Sequence, residues 1–461
     1  MTLKNILESA DNIKYEILLK GLTEKIVRQI STAQNEPDWM LKHRLQCFEI
    51  FKNSKFPKRW PNLKNLNLDE IVYYAKPSKD YEWYANNRED VPQEIKEKFQ
   101  KLGIPEAEQK YLSGAGWQYD SLNVYHKIKD QRAKKGVIFE DMAQALRSHP
   151  QLVKKHFMSV VPATDHIFAA LHGAVWSGWT FIYIPKWIEL SDPLQAYFRM
   201  NTYAWGQFEH TLIILEDNAK WSYIEWCSAP KFDKNSLHAW LVEIIVGKNA
   251  KMKYSSVENR STNTYNLNTK RAIVEEYGYM ERVNWNMWSC TTMLYPCSVL
   301  KGDYSKTDML GIAVAGKWQN QDTWSKAIHI GKNTSSTIIS KTISKDGWIS
   351  TYRWLVKINK NAENSTNHTE CDALLLDDQS VSTTIPDIIC NNKTSIIAHE
   401  ASAGKVDDNE IFYLTSRGID EEKAIAMIVN GFFSSIVKKL PLEYAWELNK
   451  LIEMEMEWSV W

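Results

Sequence analysis

Apolar positions recur at helical spacing near both ends of the chain and fall in short strand-like runs between them. In EPDWMLKHRLQCFEIFKN, Pro37 stands at a helix start, and Leu41, Leu45, Phe48 and Phe51 follow at a 3.6-residue period. Residues 1 to about 55 are therefore predicted to be helical. Residues 56–135 are rich in Pro, Tyr and Lys, which predicts irregular connections with short helices. FEDMAQALRSHPQLVKKHF, at 139–157, reads as a helical pair broken by Pro150.

After about residue 160 the pattern changes. β-rich runs such as HTLIILEDNAK, WLVEIIVGKNAK and AIHIGKNTSSTIISKTIS alternate with polar turns to about residue 405. The turns resemble one another: Glu216-Asp217-Asn218-Ala219, Gly247-Lys248-Asn249-Ala250, Gly331-Lys332-Asn333-Thr334 and Asn391-Asn392-Lys393-Thr394. Asn, Asp and Gly tolerate the left-handed region that sharp corners need. Many short strands with similar corners predict a sandwich or a stack of β-coils, and the length of the run favours the coils. The end returns to helix. In GIDEEKAIAMIVNGFFSSIVKKL, Asp420 reads as an N-cap, and Ile425, Ile428, Phe432 and Ile436 form an apolar stripe. Such a stripe packs either on the domain itself or on a partner. Pro441 opens a further predicted helix.

Charge and chemistry narrow the reading. Lys+Arg and Asp+Glu are both 56, so no global field draws the chain to nucleic acid or an anionic membrane. No apolar run approaches the ~20 residues that span a bilayer, and the first residues carry no secretory h-region. A soluble, cytoplasmic protein is expected, with reduced thiols. The six cysteines are scattered, and Cys290 and Cys297, the nearest pair, have six residues between them. That spacing matches no zinc or ferredoxin motif. P-loop, GxGxxG, HExxH and GxSxG patterns are absent. The remaining candidates are Cys227, next to a strand end in YIEWCSAP, Cys371 at the head of ECDALLLDDQS, and His399 and Glu400 in TSIIAHEA. His399 and Glu400 are neighbours on a predicted strand, so they face opposite ways, and only one easily shares a site with Cys371. An inert core thiol and a structural histidine are the alternatives.

AALHGAVWSGWTFIYIPK, NTYAWGQFEHTLII, YIEWCSAP, YPCSVLKGD, ECDALL, AHEA, FYLTSRGIDEEKAIAMIVNGF and LPLEYAWELNKLIEMEME together resemble the SufB family, in order, from about residue 5 to 461. SufB is the scaffold subunit of the SUF iron–sulfur assembly machinery. The resemblance implies a right-handed parallel β-helix at 161–405, a mostly helical domain at 1–160 and a C-terminal helical domain at 406–461. It implies a scaffold and not an enzyme, which builds a transient cluster of 4Fe-4S type and passes it to apo iron–sulfur proteins. The implied partners are the ABC-type ATPase SufC, docking at the C-terminal helices, the paralogue SufD, and a SufE- or SufU-type sulfur donor with its cysteine desulfurase. Neither nucleic acid nor membrane is expected as a partner, and the resemblance allows a reduced flavin in the complex, although no residues here identify a flavin site.

Residue by residue, the family's persulfide acceptor falls on Cys227 and its proposed cluster ligand on Cys371. Its Glu-His-Glu-Ala motif falls on Ala398-His399-Glu400-Ala401, so Glu400 keeps one carboxylate and Ala398 lacks the other. His399 completes the candidate ligands. Alternatives are a SufD-type structural paralogue, and a β-helix polysaccharide lyase or hydrolase. The coexistence of Cys227, Cys371 and Glu400 favours SufB over the paralogue. The polysaccharide enzyme would carry a groove of carboxylates and a secretory signal.

Tryptophan is 20 and glycine only 18. Ordinary usage would give about 32 glycines in a chain this long. Tryptophan stands where the family generally carries glycine at 179, 187, 226, 285, 288, 318, 324, 348, 354, 458 and 461. The hypothesis is that the organism decodes UGA as glycine and these codons were read as tryptophan. UGG codons at these positions would end it.

Overall fold

The computed structural model describes residues 15–56, 61, 63–77, 114–119, 122–128, 135–199, 206–228, 236–259, 263–287, 289–438 and 452. The N-terminal part holds β1 (Tyr15–Lys20), α1 (Glu24–Ala33), α2 (Asp38–Asn53), β2 (Val72–Pro77), β3 (Gly114–Tyr119), β4 (Leu122–Ile128), β5 (Ile138–Asp141), α3 (Met142–Ser148), α4 (Pro150–His156) and α5 (Ile167–Val175). It is less helical than its sequence predicts. β1 pairs antiparallel with β2, and β3 and β4 form an antiparallel pair where irregular connections are predicted. The pairing partner of β1 is more than 50 residues away, which a local period cannot show. The α3–α4 break falls at Pro150, at the first turn of α4. α5 interrupts the span predicted to be all β. Its nine residues are all buried, and His166 caps it, Nδ1 accepting from Ala169 N at 3.2 Å. A short run that is apolar all round carries no period to distinguish helix from strand.

Two sheets form the middle of the chain. One runs through β7 (Leu194–Arg199), β10 (Lys220–Ser228), β13 (Lys251–Asn259), β15 (Tyr279–Met287), β17 (Lys306–Ala315), β19 (Ser335–Ser344), β21 (Thr366–Leu375) and β23 (Ile396–Lys405). The other runs through β6 (Thr180–Ile184), β9 (His210–Leu215), β12 (Leu241–Val246), β14 (Thr264–Val274), β16 (Thr291–Leu300), β18 (Asn320–His329), β20 (Ile349–Ile358) and β22 (Val381–Cys390). Two short strands, β8 (Gly206–Gln207) and β11 (Ser236–His238), join the second sheet. Neighbours along both stacks are parallel, and the chain alternates between them. This is a parallel β-solenoid of about seven turns. No helix among the described residues is long and apolar enough to cross a membrane.

The corners explain the repeated turn chemistry. Asn218, Asn249 and Asn333 have φ of 63°, 53° and 53°. That conformation turns each N–H along the stack to the next corner's carbonyl: Asn218 N to Lys248 O at 2.7 Å, Asn249 N to Glu276 O at 2.9 Å, Asn333 N to Glu363 O at 2.7 Å. Side chains alternate inward and outward along each strand, as in β19, with its inward residues Ser336, Ile338, Ser340 and Thr342 buried. Among the described residues no strand pairs beyond the last coil, and β22 and β23 expose nearly all their side chains.

α6 (Asp408–Thr415) and α7 (Glu421–Val437) follow. Asp420 precedes α7 but makes no capping bond with its side chain, which lies 3.5 Å from Lys423. α7 buries Val429, Phe433 and Ile436, with Phe433 on Trp285 at 5.4 Å between ring centroids. The predicted stripe residues Ile425, Ile428 and Phe432 are only half-buried, because the buried face is rotated from it. The helix predicted after Pro441 lies outside the described residues, Ile452 excepted.

Among the described residues, three of the suspect tryptophans have left-handed backbone: Trp179, Trp187 and Trp318, with φ of 101°, 66° and 67°. Buried Nε1 atoms of Trp285, Trp324 and Trp354 have no hydrogen-bond partner among the described residues. Both observations suit glycine at these positions. Trp187 and Trp318 are 75% and 65% exposed, so their rings contribute little packing. Trp187→Gly and Trp318→Gly are each expected to raise unfolding free energy by about 0.5–1 kcal/mol, since αL strain outweighs glycine's entropy cost. Denaturant titration measures this; lower midpoints for both variants would contradict it.

Candidate functional site

The register of the first sheet places the two candidate thiols inside the solenoid. Cys227 and Glu225, two residues apart on β10, share its inward face. Cys227 is paired with Glu258, which pairs with Asn286, then Ala313, Thr342 and Ala373 on successive strands. Glu225 begins the adjacent inward column: Ser256, Asn284, Gly311, Ser340 and finally Cys371. The thiols thus lie in neighbouring columns, five strand steps or about 24 Å apart. A small cavity lined by Asn284, Gly311, Ser340 and Tyr352 lies between them.

The interior near Cys227 is polar. Glu225 accepts from Trp179 Nε1 at 2.8 Å, Thr211 Oγ1 at 2.9 Å and Tyr254 Oη at 2.5 Å. Burial pushes its carboxyl up to about 7, against the pull of Tyr254, Lys270, Trp179 and Tyr223. Glu258 pairs with Lys270 at 2.6 Å, with both side chains fully buried. Arg282 is also fully buried and donates to Lys270 O at 3.1 Å. Its Nε and Nη2 have no hydrogen-bond partner among the described residues. Sequence reading missed these charges. The alternation of β13 and β15 was a usable clue, since it turns Glu258 and Arg282 inward.

Cys371 is 3% exposed and packs with Met309, Ile338, Tyr352 and Trp354. Burial, followed by the nearby Asp372 and Glu370 carboxylates, pushes its thiol up to about 12. It is protonated in the neutral range, and a metal must displace that proton to bind. His399 pairs with Thr369, two residues before Cys371 on the same face, and its ring lies 4.6 Å from that of Trp354. His399 is therefore the candidate ligand that shares the Cys371 face. Glu400 pairs with Glu370 on the opposite, outer face. There His368 Nε2 lies 3.5 Å from Glu400 Oε1, and ligand atoms of His368, Glu370 and Glu400 lie within 4.8 Å of one another. His368 and Glu370 were not singled out from sequence, although the alternation in NHTECD puts both on one face.

All six cysteines are free thiols. Cys47, Cys227, Cys297 and Cys371 are buried, Cys290 is half-buried and Cys390 is exposed.

These features define a two-sheeted parallel β-solenoid with helical ends and dispersed interior thiols. Residues 198–432 match the SUF system FeS cluster assembly SufBD core domain, and residues 25–196 match the SufBD protein N-terminal region. The chain belongs to the SufBD family of iron–sulfur cluster assembly proteins. An iron–sulfur cluster assembly SufBD family protein of Staphylococcus aureus strain MRSA252 is 50% identical over 441 residues, covering 96% of this chain and 94% of the relative. A Staphylococcus haemolyticus relative of the same description is 49% identical with the same coverage.

Proposed function

We propose that the chain is the SufB-type scaffold of a cytoplasmic SUF complex. The observation that carries this reading is the placement of Cys227 and Cys371 on one interior wall, in neighbouring columns, with Glu225, Ser256, Asn284 and Ser340 in the column that ends at Cys371. In the proposed sequence, the Cys227 thiolate attacks the terminal sulfur of a donor persulfide. A Cys227 persulfide forms and the donor thiolate leaves. The donor is of SufE or SufU type, loaded by a cysteine desulfurase. Iron is a substrate, and Cys371 with His399 on the same inner face holds the nascent 4Fe-4S cluster with a SufD-like partner. Reduced flavin in the complex would supply electrons, and apo iron–sulfur proteins receive the cluster.

Two surfaces support the partner assignments. The exposed last coil ends in two strand edges with no pairing partner among the described residues, which a paralogous solenoid can cover. Between α6 and α7 lies an open, mainly apolar groove lined by Tyr413, Leu414, Met427 and Ile428, with Phe412 also exposed nearby. This suits a SufC-like ATPase, on which ATP hydrolysis would occur.

Anaerobic reconstitution with both partners, followed by absorption spectroscopy, tests the reading. Cys227→Ser is expected to block cluster formation fed by the desulfurase and donor, yet allow it when inorganic sulfide replaces them. Equal cluster yields from the desulfurase in wild type and Cys227→Ser would remove Cys227 from the sulfur route.

A further inference from the structure

We propose that His43, Cys47 and Met158 form a site for a soft monovalent cation, Cu+, at the seam between the N-terminal helices and the solenoid. The inference is independent of the scaffold reading. His43 and Cys47 are four residues apart on α2, so their side chains lie one above the other on one helix face. Cys47 Sγ lies 3.4 Å from His43 Nε2, and Met158 Sδ lies 3.3 Å from the same nitrogen. Cys47 and Met158 are 1% and 5% exposed, while His43 is half-buried and offers the way in from solvent.

Three separate segments bring these donors to one point. Met158 follows α4 with φ of 50°, and its N–H donates to Glu243 Oε2 on β12 at 2.6 Å. Glu243 Oε1 accepts from Val160 N and Val161 N at 2.6 and 2.8 Å, so the solenoid itself holds the turn that carries the thioether. On the other side, Gly173 of α5 keeps the space open. A Cβ there would lie 2.5 Å from Cys47 Sγ and 2.8 Å from Met158 Sδ. Hydrogen bonding alone serves the trio poorly. His43 Nε2 has one in-plane position, holding either a proton or a lone pair. A thioether has no proton to give, so a thiol S–H donated to Nε2 leaves the nitrogen and Sδ lone pairs facing each other. A proton on Nε2 would instead be shared by two sulfurs.

A cation takes all three lone pairs at once. Around a trigonal ion, with bonds of roughly 2.0 Å to nitrogen and 2.3 Å to sulfur, such donors sit about 3.7 Å apart, a few tenths of an ångström beyond the separations here. Thiolate and thioether are soft ligands and select Cu+. Binding exchanges the Cys47 S–H bond for S–Cu and releases the proton to solvent. The thiolate then cancels the ion's single charge, so no net charge is sealed inside. A divalent ion would leave one positive charge there. Among the described residues no carboxylate forms a ligand group with His43 and Cys47 to neutralise it. Arg44, next to His43, is already paired with Glu36 at 2.6 Å.

The full-length chain, reduced and anaerobic, is titrated with Cu+ against a chromophoric chelator, and with Ag+ as a redox-inert probe. One ion per chain is expected to bind more tightly than any taken up by the other thiols. Met158→Leu conserves volume and Cys47→Ser nearly conserves it, and each is expected to weaken that ion about tenfold or more. Cys390→Ser, which removes the exposed thiol, and Cys371→Ser should leave it unchanged. X-ray absorption at the copper edge should show two sulfurs and one nitrogen in the wild type, and one sulfur fewer in Met158→Leu. One equivalent of Ag+ should raise the thermal midpoint of the wild type and not that of Met158→Leu or Cys47→Ser. Circular dichroism confirms that the variants are folded, and Met158→Leu carries the test alone should Cys47→Ser unfold. Wild-type affinity in either variant, or loss of the tight ion in Cys390→Ser, would overturn the site. Zn2+ bound as tightly as Cu+ would overturn the choice of ion.

Discussion

Glu258→Ala is expected to cost about 3–5 kcal/mol of stability, the usual penalty for stranding one member of a buried ion pair. Lys270 Nζ lies 2.6 Å from Glu258 Oε1, 2.7 Å from Ser256 Oγ and 4.2 Å from the Trp240 ring centroid. Glu258 also accepts from the side-chain amides of Asn266 and Asn268, each at 2.6 Å. Alanine would leave an ammonium and two amide donors in a sealed interior. The double variant Glu258→Gln with Lys270→Met removes both charges, and should recover much of the loss. Burial opposes ionisation of Glu258, but Lys270 and His238 with the hydrogen bonds outweigh it and hold the carboxyl below its ordinary range. Its contribution is thus present above the unfolded-state value, near 4.5, and is lost as pH falls through the lower folded value. Urea titrations from neutral pH to well below the unfolded-state value measure both effects. A cost below about 1 kcal/mol for the single variant would show that the pair is not sealed from water.

Cys371→Ser is expected to abolish cluster assembly in the reconstituted complex while leaving the fold and partner binding intact. Serine is nearly the same size but replaces a soft ligand by a weakly acidic hydroxyl. His399→Ala acts on the same inner face, and should lower the yield or alter the spectrum of the cluster at saturating iron. Glu400→Ala acts on the outer face, away from Cys371, so it is expected to lower the yield less than His399→Ala does. A full-strength cluster signal in Cys371→Ser would remove the interior thiol from the site. A Glu400→Ala defect as severe as that of Cys371→Ser would place that carboxylate on the cluster itself.

The helical N-terminal stretch, the α3–α4 break at Pro150 and the coiled β-region were legible because each depends on local chemistry. Period 3.6, proline's missing N–H and asparagine's tolerance of φ near 53–63° act within a few residues. Local alternation also required His399 and Glu400 to face opposite ways, as they do. Sequence could not identify the strands at 15–20 and 114–128, since their pairing is non-local, or α5, whose nine buried residues have no polar side.

The site divides along the same line. Which face each residue takes was fixed by the two-residue period. Which residue stands beside it was decided by the register between coils about 30 positions apart. That register brings Glu370 to Glu400, aligns Glu225 with Ser256 and Cys371 with Ser340, and puts Cys227 and Cys371 in neighbouring columns. Parity is a property of one strand, whereas adjacency belongs to the stacked coils, and only the tertiary structure sets their stagger.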